Sequence, residues 1–168
     1  APGTKYEARI EYQGVSPEME RLEKVAKNLA GAGKGHDKFL ESIVVWVFVR
    51  APRYWWQEFD TYRVGITKQS ESTMHTIMKR ELKREDFEGP VNLFILKELN
   101  ELRERIEFES VKRNLPESYL QRRIVCTNYK CLHNIINQRK NHKLLEWRTF
   151  IDAVCQQVRH PELLPSKE

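Results

Sequence analysis

The sequence predicts an α/β fold in one domain, and three observations carry that prediction. Tyr6 to Tyr12 alternates apolar and charged residues with period two, the mark of a half-buried strand. Ile43 to Val49 is an uninterrupted apolar run rich in β-branched and aromatic residues, which suits a central strand covered on both faces. Elsewhere apolar residues recur every three to four positions, so helices surround these strands.

The elements follow in order. Tyr6, Ala8, Ile10 and Tyr12 fall on one face of the first strand, with Glu7, Arg9 and Glu11 on the other. Ser16-Pro17 provides an N-cap and a first-turn proline for a helix carrying Met19, Leu22, Val25, Ala26 and Leu29. Gly31, Gly33 and Gly35 stop that helix. They form no phosphate-binding P-loop, because Gly35 stands where Ser or Thr is required after Lys34. The strand Ile43 to Val49 is ended by Arg50-Ala51-Pro52. Tyr54, Trp55, Phe59 and Tyr62 then recur at helical spacing, and Trp55 and Trp56 read as core packing. Val64 to Ile77 is hydroxyl-rich and the least helical part, and Gly89-Pro90 is a break. Leu93, Leu96, Leu99, Leu102 and Ile106 mark one long amphipathic helix from about Val91 to Arg113. After Leu115-Pro116 a helical region is expected over Glu117 to Val158, interrupted near Asn128 and Asn141. The tail beyond His160-Pro161 is expected to fray.

Composition narrows the class. A chain of 168 residues is long enough for a real core. Its longest apolar run is too short to span a bilayer, and APGTKYEARIEY does not read as a signal peptide, so a cytoplasmic protein is expected. The excess of 29 Lys and Arg over 24 Asp and Glu favours anionic partners without choosing among them. The charges of Lys79 to Glu88 and Lys97 to Glu109 alternate in sign and read as solvated helix faces, and Arg122-Arg123 as surface charge. Cys126, Cys131 and Cys155 are odd in number and form no CxxC, so reduced, buried thiols are expected. With His133 and His142 they match no zinc spacing, and no metal site is expected.

The stretch Gly33 to His75 organises the chain. One hydrophobic element carries polar loops at both ends, the usual build of a small-molecule site. No Ser/His/Asp order, HExxH or GxGxxG is present. What stands out is a polar ladder, Asn128, Lys130, Asn134, Asn137 and Arg139, in which Lys130 and Asn134 share a helix face. Asn amides match heterocycle edges, and Arg forks match phosphates and carbonyls.

Three segments together resemble the flavin-dependent thymidylate synthases, over most of the chain. GKGHDKFLESIVVWVFVRAP is similar to that family's "GH, short gap, E, apolar strand, AP" segment, with His36, Glu41 and Pro52 in place. TYRVGITKQSES lies where the family has R-H-R-x7-S. NLPESYLQRRIVCTNYKCLHNIINQRKNH is similar to its "LP, N-x-R, x3, N, x4, R" segment through Leu115, Pro116, Asn128, Lys130, Asn134 and Arg139. The sequence also departs from the pattern. Thr61 and Tyr62 replace the first Arg and the His, leaving Arg63, and Met74 replaces a later Arg. Lys130 replaces an Arg and loses its fork. Ser70 and Ser72 bracket the position of the family serine.

The resemblance implies a central, mostly antiparallel sheet flanked by helices and a homotetramer, with the aromatics of Tyr54 to Phe59 suited to subunit contacts. It implies C5-methylation of dUMP to dTMP with FAD as cofactor and NADPH and methylene-tetrahydrofolate as co-substrates. By position, His36, Tyr62, Arg63, Asn128, Lys130 and Asn134 would hold the flavin. Gln69, Ser70 or Ser72, Lys112 and Arg113 would hold the nucleotide, and Arg139 would lie on the pyrimidine as the catalytic cation. Three alternatives stand beside this: a sister activity on another nucleotide such as dCMP, an inactive nucleotide- or nucleic-acid-binding relative, and, ranked last, a nucleic-acid binder unrelated to flavin. On the residues alone, His36 as a cap before the strand and Arg139 as a cation at a helix C-terminus stay open too.

Overall fold

The structure, a computed structural model, describes residues 6–9 and 19–166. Four strands form one sheet in the order β1-β2-β4-β3: β1 is Tyr6–Arg9, β2 Val44–Pro52, β3 Thr67–Ser70 and β4 Leu120–Asn128. Among the described residues seven α-helices accompany them: α1 Met19–Leu29, α2 Arg53–Phe59, α3 Thr73–Lys79, α4 Leu93–Glu104, α5 Phe108–Asn114, α6 Tyr129–Arg139 and α7 Leu145–Gln157. The expected Ser16-Pro17 helix start, and the alternation beyond Arg9, lie outside the described residues.

β4 runs antiparallel to both neighbours. The amide of Arg53 bonds the carbonyl of Tyr119 at one end of the β2 pairing, and that of Tyr129 bonds Ile43 at the other. On the other side, the Glu71 amide bonds the Arg122 carbonyl, and Thr127 Oγ1 donates to the Gly65 carbonyl. The helix expected across Glu117 to Val158 is therefore wrong over residues 120–128. The β-branched and thiol run Ile124-Val125-Cys126-Thr127 accepts a strand, and pairing on both edges overrides the helical spacing around it. The expected interruption at Asn128 is where the strand ends. Its carboxamide caps α6 by accepting the Cys131 amide at 2.9 Å.

The fold divides into two compact units, and both long strands contribute to each. The first unit holds Val49–Thr61 and Gln69–Arg123. Its core gathers Ile77, Leu82, Phe87, Leu99, Val111, Leu115 and Tyr119, where α5 packs against α3 and α4. Trp55, Trp56 and Phe59 are buried here too, with Trp55 and Phe59 stacked at 5.0 Å. They are core, as expected, and are not exposed for subunit contacts. The single long helix expected over Val91 to Arg113 is two helices. Ile106 adopts φ +61°, a strained value for a β-branched residue, and Glu107 bonds back to Leu102. Burial of Leu99 on one side and Val111 on the other holds that break. The charged stretch after Lys79 is also not a solvated helix. Asp86 is buried and accepts two bonds from Arg80, at 2.6 and 2.8 Å, and one from the Lys83 amide. Burial alone would raise its carboxyl, but those donors hold it below the usual range.

The second unit holds the other described residues. In it α7 packs on β1, α6 on α7 and on the 3-10 turn Lys38–Ser42, and α1 on the turn Pro161–Leu163. The tail is thus not frayed: Leu163 and Leu164 are buried, because the turn gives α1 an apolar surface. The three cysteines are half-buried rather than buried. β2 is not covered on both faces. Val45 and Val47 are at most 1% exposed, whereas Val44, Trp46 and Phe48 are 44–46% exposed. Period two sorts one apolar run into a packed face and an open apolar face.

Candidate functional site

The second unit contains seven candidate residues: His36, Tyr62, Arg63, Asn128, Lys130, Asn134 and Arg139. The Gly-rich loop after α1 is built around an acid that sequence spacing did not single out. Asp37 is buried, and its carboxylate accepts the Lys130 ammonium and the backbone N–H groups of Asp37 and Gly33. The Lys130 hydrogen bond is the main reason its carboxyl lies below the usual range, against a burial that pushes the other way. Lys130 is thereby committed to the loop. His133, one turn further along α6, presses against Gly31: a side-chain carbon there would meet its Nε2 at 2.8 Å. Gly31 also has φ +78°, so both backbone and space call for glycine. Burial, reinforced by the Lys130 charge, lowers the His133 pKa and keeps its ring neutral near pH 7. Asn137 Nδ2 lies 3.2 Å from its Nδ1.

The polar ladder is accordingly not one solvent-facing strip. Asn128 caps α6, Lys130 turns to Asp37, Asn137 to His133 and Arg139 to Tyr62. Asn134, His36 and Arg63 are exposed polar side chains of the same unit.

The loop 62–66 lies on the N-terminal turn of α6. Cys131 Sγ approaches the carbonyls of Val64 and Gly65 at 3.3 and 3.6 Å, and Thr127 Oγ1 bonds that of Gly65. Gly65, at φ +68°, has no room for a side chain: a Cβ would stand 2.6 Å from Cys131 Sγ. The loop delivers Tyr62 to the other end of the helix. Its hydroxyl accepts Nε–H of Arg139 at 2.9 Å and donates to Gln138 Oε1 at 2.9 Å. The Arg139 guanidinium also stacks over the buried Trp147 ring, 4.7 Å from its centroid. Gln138 and Trp147 were not foreseen from spacing; the sequence signal would have been a Trp in the helix that follows Arg139.

The first unit contains Gln69, Ser70, Ser72, Lys112 and Arg113. Gln69 and Ser70 are exposed on β3, and Ser72 is exposed at the N-cap position of α3. Lys112 and Arg113 are exposed in the last turn of α5, where Arg113 pairs with Glu109 at 2.8 Å and Lys112 lies 5.9 Å over Phe108. Thr61, where the signature Arg would be, folds its hydroxyl back onto the Glu58 carbonyl at 2.7 Å. Arg123, expected as surface charge, is instead enclosed. One guanidinium nitrogen, Nη1, donates to both Asp60 oxygens at 2.9 and 3.0 Å, Nε and Nη2 donate to Gln121 Oε1, and the group lies 4.4 Å over Trp56. Among the described residues no cluster of three or more His, Cys, Asp or Glu could hold a metal, and no helix is long and apolar enough to cross a membrane.

The polar groups available to a flavin are mixed. His36, Arg63 and Asn134 are exposed and polar in one unit, whereas Lys130 and the Asn128 carboxamide oxygen are engaged internally. The first three fit a polar, phosphate-bearing cofactor; the last two hold the glycine-rich loop and the start of α6.

No family model and no curated protein sequence matches the chain. Solved structures do. A crystal structure of flavin-dependent thymidylate synthase ThyX from Helicobacter pylori, complexed with FAD and dUMP, is similar at a TM-score of 0.72 and 18% identity, over 86% of this chain and 82% of that one. A second structure of that enzyme with FAD and dUMP gives 0.69 and 19%, over 93% and 85%. The antiparallel sheet, its flanking helices and this likeness together show that the chain has the fold of the flavin-dependent thymidylate synthases.

Proposed function

We propose that this protein is a flavin-dependent methyltransferase that converts dUMP to dTMP, binding FAD and using NADPH and methylene-tetrahydrofolate. The observation that carries this reading is the mounting of Arg139. The residue that the family resemblance puts on the pyrimidine is held by a phenol and an indole, in the fold of an enzyme solved with FAD and dUMP. The flavin supplies hydride chemistry when bound. His36, Arg63 and Asn134 would hold it. Gln69, Ser70 or Ser72, Lys112 and Arg113 would bind the nucleotide and its phosphate. The protein's own chemical contribution is electrostatic. Carbon–carbon bond formation at C5 requires the ring to carry negative charge, and a fixed cation at Arg139 stabilises it without a protein nucleophile.

The experiment is tritium release from C5-labelled dUMP and dCMP with FAD, folate and NADPH present. Turnover of dUMP is expected; turnover of dCMP alone assigns the sister activity. Arg139→Ala should lower kcat on the order of 10²- to 10³-fold, and an unchanged rate removes the ring-stabilising role.

A second reading, a nucleotide-binding relative without flavin chemistry, is favoured by the internal engagement of Thr61 and Lys130. A yellow protein bleached by NADPH supports the first reading, and a colourless one that FAD cannot reconstitute supports the second. We further propose one domain and a homotetramer whose contacts cover the open face of β2 at Val44, Trp46 and Phe48.

A further inference from the structure

Tyr62 stands where the resembling signature has a histidine, and its surroundings give it a directional task. A phenol has one proton to donate. Here that proton goes to Gln138 Oε1, which leaves the oxygen lone pairs to receive Nε–H of Arg139. The Tyr62 ring adds a second contact, its centroid 5.7 Å from the guanidinium carbon, and meets Trp147 edge-on at 6.0 Å. Trp147 is fully buried and is itself braced edge-on by His142 and Phe150 at 6.1 Å. The guanidinium plane therefore has a rigid aromatic floor, which limits its tilt. The phenol oxygen in line with Nε limits its rotation. A long flexible side chain at a helix end becomes a cation with one orientation.

We propose that Tyr62 is a positioning residue: by accepting Nε–H from Arg139 while donating to Gln138, it aims the guanidinium at the reacting ring. This rests on the reading of Arg139 as the pyrimidine-facing cation. Orientation matters steeply in catalysis, since a misplacement of about 1 Å costs on the order of 10²-fold. A positioning role should therefore act on kcat and spare ground-state binding, which rests on the phosphate and sugar.

The test compares Tyr62→Phe and Tyr62→His in the FAD-loaded protein. Three quantities are measured: tritium release from dUMP, dUMP affinity by calorimetry, and the Arg139 Nε–H resonance by NMR. Tyr62→Phe keeps the ring and removes the acceptor. It should shift and broaden the Nε–H signal and lower kcat about 10- to 100-fold, while dUMP affinity changes less than about 3-fold. Tyr62→His returns a ring-nitrogen acceptor, though one of shorter reach than the phenol oxygen, and should recover part of kcat. An unchanged kcat and Nε–H signal in Tyr62→Phe overturns the proposal. So does an equal fall of kcat in both variants that tracks a fall in melting temperature, which would mark packing alone. A wild-type protein that neither binds dUMP nor releases tritium refutes the proposed function instead, and the Nε–H resonance still decides whether the phenol holds Arg139.

Discussion

Asp37→Asn removes the charge that organises the glycine-rich loop while keeping the shape of the side chain. In the native protein the carboxylate is buried, and it holds the Lys130 ammonium and two backbone amides. Asparagine can still accept from an amide, so the change falls on the charged partner. A hydrogen bond between charged groups is worth about 1.5–3 kcal/mol. The Lys130 side chain is 26% exposed and partly rehydrates, which places the expected loss near about 2 kcal/mol. For a chain of this size that corresponds to a fall in melting temperature of about 4–8 °C near neutral pH. The pH dependence gives the sharper check. The folded carboxyl titrates below its unfolded value, so its contribution is complete above about pH 5 and is lost as pH falls through the unfolded and then the folded value. Thermal melts of wild type and Asp37→Asn from pH 7 downward should therefore keep a constant gap to about pH 5 and converge in more acid solution. A cycle with Lys130→Met should show a coupling of about 1 kcal/mol or more. Equal melting temperatures at pH 7, or a gap that persists unchanged through the acid range, would refute the ion pair as the loop's anchor.

Two further outcomes follow from geometry. Gly65→Ala places a side chain at φ +68° with its Cβ 2.6 Å from Cys131 Sγ, so it should destabilise by about 2 kcal/mol or more and displace the loop carrying Tyr62 and Arg63. Denaturant melts check the first effect and the Arg139 Nε–H resonance the second, and a melt like wild type removes the close approach. Trp46→Glu puts a charge on the open face of β2 and should shift the assembly towards smaller species in sedimentation. An unaltered mass would exclude that face from the subunit contacts.

Sequence by itself determined the elements whose pattern is local. The Gly31 to Gly35 break, the strand after Ile43, the aromatic helix after Pro52 and the interruption near Asn128 are each set by neighbouring residues, and each stands where the pattern put it. The order and spacing of three polar segments also carried the fold to the right family of structures, although identity to those structures is only 18–19%. Partners distant in the chain were decided only by tertiary structure. β4 is a strand because β2 and β3 offer it hydrogen bonds along both edges, and no helical window of the sequence contains that information. The long amphipathic helix breaks at Ile106 because packing of α4 and α5 outweighs the cost of a strained residue. Lys130 and Asp37 lie 93 positions apart and Tyr62 and Arg139 77, so no local pattern could pair them: Asp37 went unnamed, and Tyr62 and Arg139 were named for separate roles. Charge and hydrogen-bond partners are chosen by distance in space, where sequence patterns are silent.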